Sequence, residues 1–190
     1  MTTNDFRLKE DEINLLKSFI GQEFVSMYHS DFYFTDAVSE VVKWDIAGEY
    51  YFLYSFTEER DYFGCKEDVA VWSVEREVYP PVSCKNLKEF PIKEIIKDIY
   101  IVNDHQKLSF NGKPYGAAYF VKGIIFLLES GREISFEKSV WFSEDIYIKK
   151  GYELNECFQS ADEFAAEWKD SESYRGECIR EVISLNNLRG

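Results

Sequence analysis

The sequence predicts an α+β fold: two tandem antiparallel β-meander units, with a helix before them and helices after them. Three observations carry this expectation. Aromatic and β-branched runs alternate with turn dipeptides through the middle of the chain, and 17% of all residues are Phe, Trp or Tyr. Apolar residues at near-helical spacing occupy both ends. The chain also resembles itself at an offset of about 75 residues, the kind of period that marks a repeated unit. Ile46-Ala-Gly48-Glu-Tyr-Tyr-Phe52-Leu-Tyr-Ser55 runs beside Val121-Lys-Gly123-Ile-Ile-Phe126-Leu-Leu-Glu-Ser130, and a Val-Trp pair follows each copy, Val71-Trp72 and Val140-Trp141.

Asn4 to Ile20 reads as a helix, with Phe6, Ile13, Leu16 and Phe19 on one side, acidic residues 10–12 toward water and Gly21 as a C-terminal cap. Glu23–Phe34 is aromatic and β-branched and suits a strand or hairpin. Val38–Trp44, Gly48–Phe56 and Val69–Val74 complete the first unit. Pro80-Pro81 removes two backbone donors and forces extended geometry, so it marks a connector. The second unit opens at Ile95–Val102. Asn103-Asp104 is turn chemistry, and Asn111-Gly112 signals a hairpin between Lys107–Phe110 and Tyr115–Val121. Gly123–Leu128, a Ser130-Gly131 turn and Glu133–Phe136 make another hairpin, and Ile146–Ile148 a short closing strand. Ser160-Ala-Asp-Glu163 is a capping-box pattern ahead of Phe164, Ala165 and Trp168. Ile179, Val182 and Ile183 then define a last helix within Glu177–Leu185. The organisation expected is 1–79 as an acidic α+β unit, 80–91 as connector, 92–157 as a second β-rich unit and 158–190 as a helical segment.

At 190 residues the chain is long enough to bury a core without a disulfide or metal staple. Its four cysteines are far apart, its start lacks the basic and apolar regions of a signal peptide, and no apolar run approaches the ~20 residues a membrane span requires. A cytoplasmic protein with reduced thiols is expected. The net charge is -13, and the first 70 residues carry 15 acidic against 6 basic groups. Such a surface repels a phosphate backbone or an anionic membrane and attracts a basic protein.

No GxSxG, Walker, GxGxxG or HExxH pattern occurs. His29 and His105 are the two histidines; Asp104 beside His105 is more simply a turn than an acid–base pair. The cysteines lack the close spacing of a zinc site, so neither metal nor cofactor is expected. The first Gly-to-Trp interval is six residues longer than the second, and the excess falls in Thr57–Asp68. That expected loop offers Glu58, Glu59 and Asp61 beside Tyr62 and Phe63. Rings supply desolvated contact area and carboxylates steer encounter, so these five residues are the candidate partner-binding set.

The expected function is a non-catalytic acidic module that masks a basic protein partner by occlusion. Bacterial toxin-immunity proteins are of this general kind, an analogy resting on size and charge alone. The alternative is a small hydrolase or transferase with its site between the two units, recognisable by converging Asp, Glu or His in a deep pocket.

Overall fold

A computed structural model describes residues 2–30, 36–76 and 87–188. In chain order the elements are β1 (Thr2–Phe6), α1 (Glu10–Ser18), β2 (Glu23–His29), β3 (Asp36–Ser39), β4 (Val41–Ile46), β5 (Glu49–Tyr62) and β6 (Cys65–Arg76). There follow β7 (Lys88–Phe110), β8 (Lys113–Leu128), β9 (Glu133–Lys138), β10 (Ile146–Gly151), a 3-10 turn at Leu154–Cys157, α2 (Asp162–Glu167) and β11 (Tyr174–Ser184).

The eleven strands form one sheet, in the order β3-β10-β9-β8-β7-β2-β4-β5-β6, with β1 added to β8 and β11 to β7. All pairings are antiparallel except β1 on β8. This corrects the α+β expectation: the protein is mostly antiparallel β, and two tandem meanders are replaced by one continuous sheet. The spine is the β7–β8 hairpin, turned at Asn111-Gly112, where both residues have positive φ (49° and 74°), as a two-residue I′ turn demands. At one end β2 and β9 flank the spine; at the other, β11 and β1 take the same two edges. The Asn103-Asp104 turn expected from sequence does not form, because both residues pair within β7.

The sheet curls so that β4 faces β8 and β9. Trp44, fully buried, lies 5.0 Å from Phe126 and 5.2 Å from Phe136 between ring centroids. Such aromatic contacts contribute about 0.5–1.5 kcal/mol each beyond the area they bury. On the far side, the Ala70 amide donates to the Trp141 carbonyl at 2.7 Å, tying β6 to the segment after β9.

The N-terminal helix is shorter than expected, because residues 2–6 pair as a strand. Helix α1 packs Leu16 into the core, and its C-cap Phe19 sits 4.5 Å from the Tyr51 ring. Glu12 does not face water. It is buried, accepts from the Lys9 amide at 2.6 Å at the helix start, and accepts from the Val74 amide on the outer edge of β6 at 3.1 Å. One carboxylate thus caps a helix and covers a sheet edge that would otherwise recruit another strand.

The expected C-terminal helical segment reduces to α2. Glu177–Leu185, read as a helix, is mostly strand β11, paired with β7 from Tyr174↔Phe110 to Ser184↔Tyr100. Helix α2 seats on that strand at Gly176, where a Cβ would come within 2.6 Å of Trp168 Cδ1. Of the expected connector 80–91, residues 80–86, Pro80-Pro81 among them, lie outside the described residues, and Lys88 already belongs to β7.

Candidate partner-binding face

Thr57–Asp68, expected as a loop, is the outer part of the β5–β6 ladder, running from Thr57↔Ala70 to Tyr62↔Cys65. Strand β5 extends beyond its other partner β4, which stops at Val41↔Tyr54, so this part stands out as a two-stranded arm. The arm turns at Phe63-Gly64, both at positive φ (52° and 86°). A left-handed phenylalanine costs roughly 1–2 kcal/mol, offset here by the burial of its ring.

The structure gathers the five candidate residues in one hairpin but splits them by face and depth. Tyr62 and Phe63 are each only 7% exposed and point beneath the arm, so they are core residues and not exposed anchors. The Tyr62 ring stacks on Trp141 at 4.1 Å, and its hydroxyl donates to Gln106 Oε1 at 3.1 Å. Burial drives its phenol pKa far above the ordinary range. Phe63 lies 4.7 Å from Tyr62 and 5.9 Å from Phe164. Glu58, Glu59 and Asp61 remain outward. Glu58 pairs with Arg60, and Glu59 with Lys66 at 2.8 Å. Asp61 accepts from the Gly64 amide at 3.1 Å and from Asn4 Nδ2 at 3.2 Å, so it secures the turn. Among the described residues Glu67 and Asp68 have no ion-pair partner.

Beneath the tip, where β11, α2 and the Trp141 segment converge, lies an aromatic groove of about 360 Å³. Trp168 and Tyr174 face one another at 5.4 Å, and Tyr115 meets the Tyr174 ring edge-on at 5.6 Å. Glu67 and Glu167 stand at its rim, and no lysine or arginine lines it. Partial burial, then the nearby charge of Glu163, raises the Glu167 carboxyl above its ordinary pKa. Sequence reasoning missed this groove, whose rings come from four separate stretches of chain.

Behind Trp141 lies a polar cavity of about 70 Å³, room for a few waters. Lys122 Nζ donates to the carbonyls of Lys138 (2.6 Å) and Ser139 (2.9 Å) and to Gln159 Oε1 (2.9 Å), with Glu137 Oε1 at 3.3 Å. Arg180 grips Asp104 through Nε (2.7 Å) and Nη2 (2.8 Å), and its Nη1 donates to the Gln159 carbonyl. Burial lowers the Lys122 ammonium, which Glu137 partly holds up. Burial and the charge of Lys122 lower Lys138 to about 7. Burial, with Asp104 behind it, pushes the Cys178 thiol up to about 12, so it stays a thiol and a poor nucleophile. These groups spend their hydrogen-bonding capacity on one another, which is the pattern of a structural network.

His105 is a strand residue, stacked on Tyr119 at 3.9 Å, and its Asp104 neighbour belongs to Arg180. Among the described residues, no three His, Cys, Asp or Glu side chains converge as a metal site would require, and no helix is long and apolar enough to cross a membrane. Neither a protein-family model, nor a curated protein, nor a solved structure matches this chain.

Proposed function

We propose that this chain is a non-catalytic binding protein that masks a basic protein partner, acting as toxin-immunity proteins act in general, in the cytoplasm. The observation that carries the reading is the β5–β6 arm. It sets five carboxylates against two basic residues over Thr57–Asp68, on a paired backbone whose underside is packed by Tyr62 and Phe63. A charged surface held in one geometry before encounter loses little entropy on binding. Glu58, Glu59 and Asp61, joined by Glu67 and Asp68, meet the partner's lysines and arginines; Tyr62 and Phe63 hold the arm in place. Among the described residues Cys65, Cys157 and Cys178 are free thiols.

The hydrolase or transferase reading has one observation in its favour, the buried Lys138 beside the polar cavity. That cavity is small, and Lys122, Asp104 and Arg180 beside it are already held in hydrogen bonds and ion pairs.

The test is to use the protein as bait in lysate of its source, wash at low and then high salt, and identify what remains. A stoichiometric basic partner, released by salt, is expected. Reversing Glu58, Glu59 and Asp68 to Lys should weaken that capture more than roughly tenfold with the urea midpoint little changed. Asp61 is left intact because it secures the turn. Capture that is indifferent to the reversal removes the arm from the interface.

A further inference from the structure

Two grooves of comparable size elsewhere on the described surface mix charges of both signs. The groove between β1 and the arm includes Arg7, Lys9 and Arg60 with Asp5 and Glu58, and the groove beside Tyr119 includes Arg7 and Arg180. The aromatic groove under the arm tip differs, in that its charged residues are both carboxylates. Aromatic faces attract a cation through their quadrupole, and a carboxylate at the rim adds charge complementarity without filling the space. Glu167 is partly desolvated and has no cationic partner among the described residues, as has Glu67. An opposite charge brought into the groove would offset the desolvation of Glu167 and pair with both carboxylates.

We infer that this groove receives a single arginine side chain of the basic partner, its guanidinium lying against Trp168 and Tyr174 and donating to Glu67 and Glu167. The inference rests on the masking function proposed above and supplies its specificity. Arginine fits better than lysine for two reasons. A planar, weakly hydrated guanidinium stacks on ring faces, and its five donors reach two separate carboxylates at once, whereas an ammonium is a compact, strongly hydrated point charge. The surrounding structure supports a preformed site. Gly64, at the arm tip, leaves its ideal Cβ position 3.2 Å from Tyr115 Oη, so the turn and the groove wall are in close register. Trp168 is seated by Gly176, and Tyr62 is stacked on Trp141. The rings are therefore positioned by the fold before any ligand arrives.

The experiment titrates the full-length protein with ethylguanidinium and follows the four indole N–H resonances by NMR. Trp141 and Trp168 line the groove, while Trp44 and Trp72 lie in the main core. Saturable shifts confined to Trp141 and Trp168, in the millimolar range, are expected. Glu67→Gln with Glu167→Gln should weaken binding by roughly fivefold or more. Absence of saturation, or equal binding of the uncharged isopropyl alcohol, overturns the inference; tighter binding of butylammonium overturns the choice of arginine. The masking reading fails separately. If ethylguanidinium binds but no basic partner is captured, the groove stands and the masking function falls. If the partner is captured equally by the Glu67→Gln, Glu167→Gln protein, the groove inference falls and the masking function stands.

Discussion

Two lysines lie back to back inside the sheet, and they are met differently. Lys122 uses three acceptors and a carboxylate, whereas Lys138 donates to the Ala70 carbonyl and lies 5.6 Å from the Trp72 ring. Lys138 has a folded pKa of about 7, below its ordinary value of 10.5, so the fold penalises the protonated form. Between those two values the unfolded chain holds a proton that the native protein lacks. Stability from this group therefore rises with pH across the window, by at most about 1.4 kcal/mol per unit, and is lost as pH falls toward 7. Lys138→Met removes the penalty. It is expected to raise the urea midpoint at pH 6, by about 1–4 kcal/mol in stability, with the gain shrinking toward pH 10. Parallel pH profiles for the two proteins would show that Lys138 is not a buried cation. Nothing local in the sequence marks these lysines as internal. From Val121 to Phe126 every residue is buried, so β8 is covered on both faces and the two-residue alternation that separates inside from outside vanishes.

At the scale of elements, the internal resemblance dissolves into two unlike glycines. Gly48 turns β4 into β5 at φ 84°, with open space where a Cβ would stand. Gly123 lies inside β8, where a Cβ would come within 2.4 Å of the Phe158 ring and 2.6 Å of the Phe136 carbonyl. Alanine at Gly48 should cost about 1–2 kcal/mol of left-handed strain. At Gly123 it should cost more, roughly 3 kcal/mol, because backbone must move. Urea midpoints of the two variants check this, and equal losses would return the glycines to equivalent roles. Hairpins were the legible elements, since Asn111-Gly112 carries its own turn chemistry. Strand β11 was not. Its inward residues Tyr174, Gly176, Cys178 and Arg180 make a weak alternating signal, while Ile179, Val182 and Ile183 imitate a helix face. The arm misled in the same way, because charges on both strands hide a ladder and rings at a tight turn read alike whether they face in or out. The groove was illegible altogether, being assembled only when β8, β11, α2 and the arm tip meet.

Over the whole molecule, one curled sheet joins chain ends that the sequence suggested were separate units. Thr2 pairs with Gly116, His29 with Lys88 and Ser39 with Ile146. During synthesis this ordering has a consequence in time. The first 76 residues can close only the local β2–β4–β5–β6 meander, while β1 and β3 wait for partners not yet made and β2 for its second partner, β7. Phe24 and Trp44, both fully buried at the end, lack the Phe126 and Phe136 rings that cover them until β8 and β9 leave the ribosome. Such non-local pairing is slow and leaves apolar surface open meanwhile. A nascent chain arrested after residue 130 should be cut by protease throughout its first third, and the released full-length protein should resist. A protected N-terminal fragment from the arrested chain would contradict this. The protein's early life is thus its most vulnerable stage, with a long wait before the last strands complete the sheet.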